Sequence, residues 1–283
     1  MALLAANRYG KHRVRLVKVA REGAAHAVRE WSVNILIEGD YDEAFRSGSN
    51  AEILPTDTMK NTVYSLGRRS SAACIEDFAK ELVTHFLTTY SHAEAATVEI
   101  QEKLWEHLEV DGKPHPTGFR QTSGELRTTS VAGSRSAGIE VTSGLSGLVI
   151  LKTADSAFEG YLKDPLTTLR ETSDRLFGTD VTAVWTYSRT DLPFAETRVE
   201  VRAALLAAFA GHKSLSVQHT LFAMAEAALA RVPGIGAITL TMPNKHCLLV
   251  DLSPFGQDNP NEIFVPTDEP HGYIEATVTR EAG

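Results

Sequence analysis

Cysteine is almost missing from this chain. Two residues, Cys74 and Cys247, can build neither a disulfide framework nor a zinc cluster. Cys74 heads an expected helix and Cys247 lies in an expected strand, so both read as buried thiols. Ten histidines are present, but scattered, with no His-x-x-x-His pair and no HExxH run, so no protein-bound catalytic metal is expected. Long apolar runs are missing as well: nothing approaches the roughly 18 consecutive apolar residues of a membrane span. Positive charge is in deficit, 28 Lys and Arg against 36 Asp and Glu, for a net charge of -8. That balance argues against nucleic acid as a partner, because a phosphate backbone needs a basic face. An anionic small molecule would have to find its positive charge locally. The chain also lacks a phosphate loop, a dinucleotide fingerprint, a nucleophile elbow and the kinase signatures. The opening MALLAANRYGKHR has too short an apolar stretch and the wrong charge order for a secretory signal. The closing REAG is not a Ser-Lys-Leu tripeptide, so cytoplasm is the expected compartment.

What is present is ordinary globular material, 43% hydrophobic and 23% charged. A length of 283 residues suits one large domain or two of common size. Alternation at Tyr9–Val19 and at Trp31, Val33, Ile35 and Ile37 predicts two strands, joined by a hairpin connection through AREGAAH. Ile75, Phe78, Leu82 and Phe86 recur at helical spacing. A strand at Ala96–Leu104 follows, then a polar section, DGKPHPTG, that turns the chain into a strand ending near Ser130. From Ser136 the order restarts: strands at Ile139–Lys152 and around Val181–Tyr187, helices at Thr197–Gly211 and Val217–Arg231, strands at Ala237–Met242 and Glu275–Thr279. The second helix and its following strand recur at an offset of about 140 residues, a duplication rather than a solenoid repeat. The expected class is α+β, with two halves of strand-strand-helix-helix-strand-strand order over 1–135 and 136–283.

Four segments hold candidate chemistry, each with a plain alternative. Tyr9-Gly10-Lys11 places a lysine at a strand start, where it reads equally as solvated surface. In ILPTDTMKNTVY, Pro55 with Thr56 and Asp57 signals a helix start that either side chain can cap; the same free N–H groups form a small anion site. The stretch from Phe158 to Tyr187 combines an aromatic ring with Arg170 and Arg175. A guanidinium fork suits a planar acceptor edge and a ring can stack on a flat ligand, while core packing and a salt bridge are the ordinary alternatives. In SVQHT, Gln218 offers both an amide donor and an acceptor. In MPNKHCLLVDL, Asn244, Lys245 and His246 set three polar groups between apolar strands, an odd choice for a core strand.

These segments together resemble the urate oxidase (uricase) family, and the likeness runs nearly end to end. It is carried by YGK at Tyr9, PTDTMKNTVY at Pro55, HFLTTY at His85, SGLSGLVILKTADSAFEGY at Ser143 and TTLRETSDR at Thr167. SVQHTLF at Ser216, MPNKHCLLVDL at Met242 and NEIFVPTDEPHGYIEATVTR at Asn261 complete the order. Cys247 is a peripheral departure, since an aromatic often follows the histidine in the family.

The resemblance implies two tandem tunnelling-fold (T-fold) domains of ββααββ type. Their antiparallel sheets would close into barrels in a homotetramer, with active sites between subunits. It implies urate and molecular oxygen as substrates and no cofactor. Phe158 would stack on the purine, Arg175 and Gln218 would hold its edges, and the main chains of Val217 and the neighbour's Asp57 would complete the in-plane bonding. Asn244 would face the ring near the oxygen position. Lys11, Thr56 of the neighbour and His246 would form a proton relay. Two rivals remain at this stage. One is a pterin-handling T-fold enzyme, where a glutamate usually anchors the ring. The other is a non-catalytic purine-binding protein that keeps the pocket without the relay.

Overall fold

The structure, a computed structural model, describes residues 2–21 and 23–280. Glu22, within the expected connection between the first two strands, and residues 281–283 lie outside the described residues. The chain divides into two compact units, one of Met1–Gly144 with Thr186–Ala195, the other of Leu145–Trp185 with Glu196–Gly283.

In the first unit β1 (Tyr9–Ala20) and β2 (Ala27–Glu38) are followed by a short α1 (Asp42–Arg46), then α2 (Thr56–Arg69), α3 (Ile75–Thr89), β3 (Ala95–Val110) and β4 (Lys113–Ser134). The strands pair antiparallel in chain order, and β5 (Gly138–Lys152) continues the sheet beside β4. Period-2 alternation in β2 and β3 sends Val33, Ile35, Ile37, Val98 and Ile100 to one face, where all are buried. Helix α3 roofs that face with Ile75, Phe78, Leu82 and Phe86, which share one stripe because helical neighbours recur every three to four residues. Trp31 stacks on Phe78 at 5.0 Å between centroids. Burying each of these side chains is worth about 1.5–3 kcal/mol.

The second unit takes up β5 and continues with β6 (Phe177–Tyr187), α4 (Phe194–Gly211), α5 (Val217–Arg231), β7 (Ile235–Thr241), β8 (Asn244–Leu249), β9 (Phe264–Gly272) and β10 (Glu275–Thr279). Its strand order is β5-β6-β7-β10, with β8 branching from β6 to pair with β9. Helix α5 lays Val217, Leu221, Met224, Ala228 and Leu229 over β7 and β10. The strand-strand-helix-helix-strand-strand order is therefore met twice, and α3 and α5 begin 142 positions apart, at Ile75 and Val217.

Three local expectations need correction. The section DGKPHPTG is not a loop: the β3–β4 ladder continues through it, and only Asp111 and Gly112 turn. Both have positive φ, 51° and 72°, the geometry of a two-residue hairpin turn matched to strand twist. Two register shifts accommodate the irregular residues of this arm, and β4 runs on to Ser134. The polar run after Met242 is a hairpin arm, β8 with β9, and α1 also went unforeseen.

Replacing Phe78 with Ala should destabilise the protein by about 3–5 kcal/mol, the usual cost of emptying an aromatic site in a core. Chemical unfolding followed through the fluorescence of the chain's tryptophans, Trp31 among them, checks this. A change under 1 kcal/mol would mean that the α3 roof is not what holds the first sheet.

Candidate active site

Lys11 owes its placement to backbone constraints on either side. Gly10 pairs with Leu36, and a Cβ there would lie 1.7 Å from the carbonyl oxygen of Ile35, so no other residue fits. Directly after Lys11 the ladder slips: Lys11 faces Ile35 and Val14 faces Val33, leaving one extra residue on β1. Arg13 takes the left-handed conformation (φ 57°), and its N–H donates to Asn34 Oδ1 at 2.9 Å. Such a bulge bends the strand and re-aims its side chains.

Two residues earlier, the Tyr9 hydroxyl accepts from the N–H of Leu54 at 2.8 Å, tying β1 to the segment that leads into Pro55. Burial raises the Tyr9 pKa against the opposing effect of that bond. Pro55 is extended and Thr56 opens α2, yet neither Thr56 nor Asp57 caps it. Asp57 instead engages the Lys60 ammonium and Asn61 Nδ2, the latter at 3.1 Å. Its carboxyl is held below the usual range by the Lys60 bond first, with Lys11 contributing through its charge. Lys11 is therefore near enough for its charge to act on the Asp57 carboxylate, and the start of α2 carries no side-chain cap on its N–H groups.

The second group stands in the second unit. Between β5 and β6 the chain makes an excursion in which Phe158 and Thr172 exchange backbone bonds, 2.8 Å from Phe158 N–H and 3.2 Å from Thr172 N–H. The Arg175 guanidinium carbon lies 5.4 Å from the centre of the Phe158 ring. Arg175 is half-buried, forms no ion pair among the described residues, and its buried Nε has no hydrogen-bond partner in the protein. Burial lowers its pKa from the ordinary arginine value, though a guanidinium stays charged. The expected alternatives, a core phenylalanine and a salt-bridged arginine, do not describe this pair. Tyr161 stacks on Phe158 at 4.9 Å and donates to the Leu169 carbonyl at 2.6 Å.

Ser156 bridges to Ser214 just ahead of α5, through Ala157 N–H to the Ser214 carbonyl (2.8 Å) and Ser214 N–H to the Asp155 carbonyl (2.9 Å). Ser216 caps α5, its Oγ accepting from the N–H of His219 at 3.1 Å. Val217 is then buried at the first helical position and Gln218 exposed at the second. Asn244 pairs with Thr179 of β6 and Gly272 of β9, and His246 pairs with Thr267, both half-buried. Because β8 meets β6 over only two residues, polar side chains are tolerated where a core strand would refuse them. Among the described residues, no group of three or more His, Cys, Asp or Glu could hold a metal.

Not legible in the sequence were the bulge at Arg13, the stacking of Tyr161, the bond from Ser156 to Asp174, and the backbone bonds of Asp155 and Ala157 with Ser214. Tyr161 had a signal, an aromatic three residues beyond Phe158. The others depend on contacts between segments far apart in the chain.

Two tandem ββααββ units of antiparallel strands packed beneath helices define a tandem tunnelling-fold protein. The uricase family model matches residues 7–132 and 141–275. The chain is 40% identical to the uricase of Arthrobacter globiformis over 281 residues, 99% of this chain and 90% of that protein. It is 38% identical to the uricase of Aspergillus flavus, over 100% and 98% of the two chains. The crystal structure of the Arthrobacter globiformis uricase superposes with a TM-score of 0.95 at 39% identity, covering 100% of this chain and 96% of that one. The chain belongs to the uricase family, the urate oxidases.

Gly10→Ala tests the placement of Lys11. The added carbon meets backbone rather than a movable side chain, so β1 must shift on β2. A loss of about 1–3 kcal/mol, seen as a fall of several degrees in the melting midpoint, should accompany a fall in urate turnover. Normal stability together with normal turnover would show that the close approach imposes nothing.

Proposed function

We propose that this urate oxidase oxidises urate with molecular oxygen and no cofactor, at a site completed by a second copy of the chain. The observation that carries the proposal is the Phe158–Arg175 pair: a half-buried guanidinium at 5.4 Å from an aromatic ring, with an unpartnered Nε. A buried donor without an acceptor is costly, and a purine edge supplies acceptors in the plane of the fork. Phe158 stacks on the purine, Arg175 and Gln218 hold its edges, and the main chain of Val217 adds a further bond. The partner subunit supplies Asp57 and Thr56 from the start of α2, and Asn244 faces the ring where oxygen sits. This arrangement implies a homotetramer in which paired sheets close into barrels, built from halves 1–135 and 136–283.

Oxygen is a triplet and reacts slowly with closed-shell molecules until one electron has moved. Urate can supply that electron once deprotonated. Arg175 and the uncapped N–H groups at Thr56 favour the anion by charge and hydrogen bonding. Lys11, Thr56 and His246 move the protons, with Thr56 between the other two because a hydroxyl both donates and accepts. Electron transfer and recombination give a 5-hydroperoxy adduct. Loss of peroxide and addition of water then yield 5-hydroxyisourate and hydrogen peroxide. Among the described residues no helix is long and apolar enough to cross a membrane.

Chelator-treated protein should consume urate and oxygen one to one while peroxide appears, read by ultraviolet absorbance, an oxygen electrode and a peroxide assay. Binding without consumption would leave a purine-binding protein and remove the catalytic reading. Lys11→Ala and Thr56→Ala should each lower turnover by about 10²–10⁴-fold, the range for an acid–base group, with smaller effects on binding. Wild-type turnover in either variant would eliminate the relay.

A further inference from the structure

We infer that Asp174 is a positioning residue for substrate recognition, fixing Arg175 and Phe158 relative to one another and to the start of α5. The inference rests on the reading above in which Phe158, Arg175 and Gln218 contact the purine. Asp174 is held at two points. Its Oδ1 accepts from the backbone N–H of Ser156 at 3.1 Å, and its carbonyl accepts from Thr172 Oγ1 at 2.7 Å. The first bond joins the beginning of the excursion to its end, two residues before Phe158 and one before Arg175. The second locks the residue that pairs with Phe158 to the residue that precedes Arg175.

The same point is tied onward to the other wall of the site. Ser156 and Ser214 are fully buried, and their segments exchange two backbone bonds. Ser214 Oγ donates to the Ser216 carbonyl at 3.1 Å, and Ser216 caps the helix that presents Gln218. Asp155, just ahead of Ser156, sits in the left-handed conformation (φ 58°), unfavourable for a residue with a Cβ and retained only where surrounding bonds over-determine it. A path of hydrogen bonds therefore links the segment of Arg175 to the start of α5, and Asp174 is the member that enters it through a carboxylate. A carboxylate suits that place, as a short acceptor that binds a backbone N–H more strongly than a neutral group does.

The test compares Asp174→Ala, Asp174→Asn, Thr172→Val, Arg175→Ala and the double variant D174A/R175A, on the full-length protein. Urate KM, kcat, binding of a non-oxidisable planar purine analogue and the melting midpoint are read for each. Asp174→Ala should raise KM and weaken analogue binding about tenfold with kcat nearly unchanged, since displaced recognition groups lose binding before chemistry. Asp174→Asn, whose Oδ1 still accepts, should restore most of the affinity. Thr172→Val should shift KM in the same direction by less. In the double variant Asp174→Ala should add little to Arg175→Ala, because both act through one guanidinium. Unchanged KM in Asp174→Ala with normal folding overturns the inference, as does full additivity with Arg175→Ala. If Asp174→Ala does not fold, unchanged KM in Thr172→Val overturns it instead. Should Arg175→Ala itself bind normally, the substrate-contact reading fails, an outcome distinct from loss of the Asp174 tether alone.

Discussion

An antiparallel sheet has two faces, and each unit of this chain must cover one of them with helices. Everything else follows from that constraint. In the first unit the covered face carries Val33, Ile35, Ile37, Val98 and Ile100 beneath α3, whereas the intervening Ser32, Asn34 and Glu99 face away, with Asn34 bonded to Glu99. Because the helices lie on the sheet, their first turns are carried on a rigid base. Both helix starts used by the proposed site, Thr56–Asp57 and Val217–Gln218, are first turns of this kind. Their backbone donors are pre-set by helix geometry, which lets them meet an anion without ordering a loop.

The two helix starts are finished differently. Ser216 caps α5 and satisfies the N–H of His219, leaving the N–H groups of Val217 and Gln218 without a side-chain cap. Pro55 precedes α2 and contributes no side-chain cap, while Asp57 turns toward Lys60 and Asn61. Both starts therefore offer backbone donors, and that of α5 adds the exposed amide side chain of Gln218. Around them the charges are local: Lys11 beside Asp57 in one unit, and Arg175 beside Phe158 in the other.

Much of this was legible in the sequence, and the reasons are physical. Helix α5 was read at its observed bounds, and the buried stripe of α3 residue by residue, because such a stripe imposes a period no loop reproduces. The strands before them alternate for the same reason. The site segments were legible as a family pattern, from PTDT through SVQHT to MPNKH, which supplied roles that residue types alone left open. Hidden features were those decided by partners distant in sequence. The β3–β4 arm reads as a loop because its prolines and polar residues mimic one, yet Asp111 and Gly112 suffice to turn it. The bulge at Arg13 leaves no mark beyond a slight break in alternation. Asp174 looks like any surface acid until Ser156 is seen to donate to it.

Phe158 and Arg175 belong to a single excursion of the chain, braced by its own backbone bonds and confined to the second unit, while Lys11 and Thr56 belong to the first. In the proposed site most of the purine grip would thus come from the second unit, while two of the three relay residues would come from the first. A lineage that no longer needed the reaction could let the first stretch drift while the second kept its grip on a flat heterocycle. An oxidase would then leave behind a receptor, and the ring beside the guanidinium would outlast the enzyme that gave it its purpose.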